Sequence, residues 1–165
     1  MALTIEDGSI VPGADSFALA SELVTHAEKF GLVIPATEAA QESILRRAYL
    51  EMTAMDWKGV PVNEFQTGAF PRYNVMRFGW LVRADSIPAQ IKAGQMALAT
   101  EIHADDIDKP ELRKGAVTKN RVEGAVEQQY AAAPASLAKP ASTRQSYAQF
   151  AGFLESANQI NLVRG

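Results

Sequence analysis

DWKGVPVNEFQTGAFPRYNVMRFGWLVRADS, residues 56–86, interrupts a chain that otherwise favours helices. Gly59, Gly68 and Gly79 together with Pro61 and Pro71 deny it a helix, since glycine loosens the backbone and proline removes a donor. Trp57, Phe65, Phe70, Tyr73, Phe78 and Trp80 give it more apolar area than a disordered linker carries, because large aromatics seek burial. A connection this long without helix is uncommon in a compact domain and usually has a function. The stretch is therefore expected to be an anchored excursion between two helices, available to something outside its own subunit. Nothing in it has a catalytic pattern.

On its N-terminal side, Pro35 and Thr37 mark a helix start, with Glu38 where its charge favours the helix dipole. Ile44, Leu45, Ala48, Met52 and Met55 form one apolar stripe, and Gln41, Glu42, Arg46, Arg47 and Glu51 face away from it. On its C-terminal side, Ser86 is expected to cap a helix with Pro88 in its first turn. Ile87, Ile91, Leu98 and Ile102 give that helix its buried face, Gly94 and Ala97 allow a close neighbour, and Asp105, Asp106, Asp108 and Pro110 end it. Before these comes an extended arm with a turn at Gly8, Pro12 and Gly13, then a helix capped by Ser16, with Phe17, Ala20, Leu23, Val24 and Ala27 at helical spacing and Gly31 closing it.

After the third helix the period changes. Residues 115–131 alternate around Gly124, a hairpin signal. Residues 132–145 are small and proline-bearing, hence a linker. Residues 146–165 give a short amphipathic helix on Tyr147, Phe150, Phe153 and Leu154, then an extended arm. The expected fold is mainly α: a small helical bundle over 1–131 with a long inter-helix loop (56–86) and a β-hairpin (115–131), followed by a C-terminal helix and arm.

With 165 residues and 47% apolar content, the chain can bury one real core. A net charge of −3 lacks the basic excess of a nucleic-acid binder. No apolar run is long enough to span a bilayer, and the acidic start MALTIEDGS resembles no export signal, so no membrane partner is expected. The absence of cysteine rules out disulfides and thiolate metal sites.

His26 and His103 stand alone, without a metal-ligand spacing. Asp105, Asp106 and Asp108 lack the glycine and distal glutamate of a calcium loop. No nucleophile elbow or phosphate loop is present. The expectation is therefore no enzyme, no metal and no cofactor. The candidate contact residues are Arg72, Arg77, Trp80 and Arg83 on the excursion. Lys119 and Arg121 join them on one face of the hairpin, able to line a channel or groove. With Trp57 and Lys58, the excursion residues could also stack and neutralise single-stranded DNA. The bland alternative is that the aromatics are core and the arginines pair with carboxylates.

The opening MALTIEDGSIVPGADSF, the helix ending MDWKG, the Phe70–Arg72 FPR, SIPAQIKAGQMALA and VEGAVEQQY occur in the order found in a family of phage and prophage proteins labelled DnaT-like single-stranded-DNA-binding proteins. The match covers roughly residues 1–131 and departs at Phe70, where the family commonly has Trp. The same arrangement resembles the head-to-tail connectors, or adaptors, of long-tailed phages. That resemblance implies a structural neck protein of the virion, made in the host bacterial cytoplasm. It implies a homo-oligomer, a dodecameric ring beneath the portal protein, that extends the channel for passing double-stranded DNA without reading its sequence. It also implies a downstream tail-side connector or tail terminator as partner, with Ile160, Leu162, Val163 and Arg164 as a portal-docking arm. The other function implied is that of the family label, a DnaT-like replication protein that binds single-stranded DNA.

Overall fold

The computed structural model describes residues 2–107, 117–122, 126–130 and 144–155. Four helices dominate them, with three two-stranded antiparallel sheets. Helix α2 (Glu38–Thr53) begins as the sequence predicts, with Thr37 Oγ1 accepting from the Ala40 N–H. Helix α1 (Ala20–Phe30) starts behind Leu19, not behind Ser16. Ser16 is fully buried and its hydroxyl is engaged by Ala18, donating to the carbonyl at 2.7 Å and accepting from the N–H at 3.1 Å. Glu22 instead accepts from the Leu19 N–H at 2.8 Å, and Gly31 at φ 64 closes the helix.

Helix α3 (Ala89–Ile107) starts one residue after Pro88, whose carbonyl accepts from Ile91 and Lys92. Ser86, the expected cap, lies outside it. Asp105 and Asp106 stand at its end as predicted. Helix α4 (Gln145–Phe150) packs against α3, which also packs on α2. A Cβ on Gly94 would stand 2.0 Å from the Phe150 ring, so the glycine that weakens α3 is what lets α4 seat.

The core stripe of α2 is Ile44, Leu45, Ala48, Tyr49 and Met52. Gln41, expected on the outer face, is buried, and its Nε2 donates to the Pro35 carbonyl at 2.8 Å. Gln95 sits fully buried where α2, α3 and the N-terminal arm meet. It donates to Leu45 O and Ser16 Oγ and accepts from the Phe17 N–H. Each of its polar groups has a partner, which is the condition for burying an amide without penalty. Glu6, 2% exposed, folds the arm by accepting from the N–H groups of Gly8, Ile10 and Val11.

The excursion forms no helix, as expected, but it is not structureless. Strand β1 (Val60–Pro61) pairs with β2 (Arg72–Tyr73), and β3 (Met76–Arg77) with β4 (Trp80–Leu81). Its base is core. Trp57 donates Nε1–H to Met52 O and meets Phe70 and Phe150 edge-on at 5.2 and 5.1 Å. Residues after α4 lie along the same base, with the Lys58 N–H donating to Phe153 O and the Glu155 N–H to Asp56 O.

The expected hairpin is present as β5 (Val117–Val122) and β6 (Val126–Tyr130), antiparallel with Val122 opposite Val126. Residues 132–143 of the expected linker (132–145) and the arm 156–165 with Ile160, Leu162, Val163 and Arg164 lie outside the described residues. Among the described residues no helix is long and apolar enough to cross a membrane.

Candidate functional site

The β3–β4 hairpin rises from a buried anchor to an exposed apolar tip. Val75 is fully buried, and its carbonyl accepts from the Val82 N–H at 2.8 Å, closing the hairpin at its base. Phe78 and Gly79 form a two-residue turn with φ 50 and 83, the left-handed pair that a tight hairpin with right-handed twist requires. Glycine adopts this freely, but phenylalanine does so at a cost. That cost falls on a side chain 82% exposed, beside Trp80 at 80% and Leu81 at 65%. A contiguous exposed apolar patch of this kind marks an interaction surface.

The cations around the tip are already engaged. Arg83 makes a two-point ion pair with Asp85 at 2.9 and 2.7 Å. The hydrogen bond holds the Asp85 carboxyl below the usual range and raises the arginine. The Arg77 guanidinium lies over the Phe78 and Phe153 rings at 4.7 and 4.9 Å, and its buried Nε has no hydrogen-bond partner.

Arg72 faces inward. It donates to the carbonyls of Lys58 at 2.9 Å, Gly59 at 2.8 Å, Trp57 at 3.3 Å and Ala69 at 3.4 Å, and burial pushes its pKa down. It therefore ties the excursion's two limbs together and is not an outward contact. Elsewhere Arg46 pairs with Asp15, Arg47 with Asp106, Arg144 with Asp105 and Lys92 with Glu22. Lys119 and Arg121 stand two apart on β5, opposite Gln129 and Glu127.

The excursion thus divides between the two expectations. Trp57 and Phe70 are core, while Phe65, Phe78 and Trp80 are exposed. Sequence reasoning singled out Trp80 but missed Phe78 and Leu81 as partners in one tip. The available signal was Phe78–Gly79 set between Met76–Arg77 and Trp80–Leu81, a weaker hairpin mark than Asn-Gly.

Two hollows flank this architecture. A groove of about 230 Å³ runs beneath the tip between Trp80, Pro88, Gln90 and Phe153. A larger cavity of about 790 Å³ opens at the far end of α3, walled by Leu32, Val33, Ala104 and Ile107 with Asp105 and Arg144 at its edge. Glu101 also lines it, its carboxylate accepting from the Ser146 N–H and hydroxyl. No pattern in the sequence indicated this cavity, because its walls come from the segment that follows α1, the end of α3 and the start of α4. Among the described residues no group of three His, Asp or Glu could hold a metal ion. His26 lies on α1 against Phe30, where burial, aided by Lys29, pushes its pKa down.

The model of one family, described as "Putative DnaT-like ssDNA binding protein", matches residues 1–165. No curated protein and no solved structure matches the chain.

Proposed function

The chain belongs to the DnaT-like ssDNA-binding-protein family, and within it we propose that this member is a structural head-to-tail connector of a tailed phage. It builds a homo-oligomeric ring beneath the portal, extends the DNA channel toward a tail-side connector or tail terminator, resides in the virion neck and performs no catalysis. The observation that supports this is the exposed apolar tip of β3–β4, whose neighbouring cations are already engaged inside the chain. Protein contacts use desolvated aromatic anchors, whereas DNA capture needs cations left over for phosphate. The arm of Ile160, Leu162, Val163 and Arg164 is the proposed portal contact, and Lys119 and Arg121 are the proposed channel-facing pair.

The family description favours a second function, single-stranded-DNA binding, in which Trp80 stacks on a base and Arg77 and Arg83 meet phosphates. Native mass spectrometry of the protein mixed with the portal ring of the same phage separates the two. A portal complex carrying many copies, without added DNA, is expected. Absence of that complex, in protein that binds labelled single-stranded DNA, would overturn the connector function in favour of the second.

A further inference from the structure

The tip of β3–β4 and the large cavity sit at opposite ends of one helix. The groove beneath the tip is bordered by Pro88 and Gln90 at the start of α3, while the cavity is walled by residues from Thr100 to Ile107 at its end. At 1.5 Å per residue, the stretch of α3 from Gln90 to Thr100 and Ile107 separates them by roughly 15–25 Å. A protruding patch and a hollow at different places on one molecule cannot meet within one copy, but they can meet between copies.

We propose that the Phe78–Trp80 tip of one copy seats in the cavity at the end of α3 of a second copy of this chain. This rests on the ring-building function above and names its subunit contact. The size fits, since a cavity of about 790 Å³ lies within the roughly 300–1,000 Å³ of pockets that take a compact apolar ligand. The walls fit as well, with Leu32, Val33, Ala104 and Ile107 offering apolar surface to the two rings. Charge is complementary. The tip carries Arg77 and Arg83 against one carboxylate, Asp85, whereas the cavity carries Glu101 and Asp105 against one guanidinium, Arg144. Each side is thus left with one unit of opposite sign, which sets the orientation of docking.

The contact is heterologous. Each copy gives its tip to one neighbour and its cavity to the other, so the assembly closes into a ring when the rotation allows. It is also weak alone. Two aromatic side chains bury roughly 150–250 Å² each, far below the roughly 1,200–2,000 Å² of a stable interface. Copies therefore join when concentrated, as they are when held on a common partner.

The chain has no cysteine, so single introduced thiols report the contact without background. Leu81→Cys marks the tip while keeping Phe78 and Trp80, and Ala104→Cys marks the cavity at an exposed helix position. The two full-length variants are mixed at about 1 mM, the effective concentration of a short tether, and treated with a short bismaleimide. Mixed Leu81→Cys/Ala104→Cys dimers are expected to dominate over either homodimer. Adding Trp80→Ala to the tip variant should cut their yield about tenfold, as loss of a buried aromatic anchor does. Dominant Leu81→Cys homodimers would mean tip-to-tip pairing, and equal yields would mean random collision. No cross-link would mean a cavity closed to a second copy. Each of these three overturns the proposal. Any of them alongside a many-copy portal complex would leave the connector function standing and remove only this contact.

Discussion

Gln95 is the residue on which the most elements converge. Its amide bonds to Leu45 on α2 and to Ser16 and Phe17 on the N-terminal arm from a fully buried position on α3. Gln95→Leu keeps the volume but leaves the buried Phe17 N–H without its acceptor, which costs about 1–3 kcal/mol, while the Leu45 carbonyl keeps its helical bond within α2. A loss of roughly 1–3 kcal/mol in urea unfolding is expected; a loss too small to measure would mean that water replaces the amide. Glutamine at this position reads from sequence as an ordinary polar interruption of an apolar face. Arg72 and Arg77 teach the same point in reverse. Both look like outward-facing cations in the sequence, yet one cross-braces four carbonyls and the other lies between rings. A side chain's direction depends on what folds over it, which its neighbours in sequence do not specify.

Among the elements, α4 is the one whose position depends on a single absence. Six residues cannot hold a helix in water unaided, so α4 stands on the burial of Phe150 against Gly94. Gly94→Ala would raise the propensity of α3 by about 1 kcal/mol, but its methyl would overlap the Phe150 ring, an overpacking that costs about 1–3 kcal/mol. The expected outcome is a lower melting temperature with α4 cut first in limited proteolysis, and recovery when Phe150→Leu is added. A higher melting temperature for Gly94→Ala alone would show that α4 is not seated as described. Glycine at 94, read as permission for a close neighbour, was legible; that the neighbour is Phe150, 56 positions on, was not. Helices α1, α2 and α3 were legible because each carries its own apolar period and stop. Their starts were less so, since Ser16 and Ser86 both look like caps and neither is one.

For the whole molecule, the two proposed partners differ in their response to salt. An apolar tip whose Arg83 is paired with Asp85 and whose Arg77 is stacked on rings should hold the portal with less than a tenfold change between about 50 and 200 mM salt, whereas six to ten phosphate contacts would lose about 10³–10⁵ in affinity. The two tryptophans allow a direct reading. Trp57 is 5% exposed and Trp80 80%, so quenching of fluorescence by acrylamide follows Trp80. Protection of Trp80 on adding portal, insensitive to salt, is expected; protection by single-stranded DNA that vanishes at the higher salt would point to the family's named ligand instead. By itself the sequence determined that this is a mainly helical chain broken by an anchored aromatic excursion and ending its described strands in a hairpin. Local periodicity, glycine and proline placement and aromatic content act over neighbouring residues and need no tertiary context. Only the tertiary structure decided which aromatics are core and which form the tip, where the arginines point, and that a cavity opens at the far end of α3. Those depend on which distant segments meet, and burial is allotted by that meeting rather than by any residue's own chemistry.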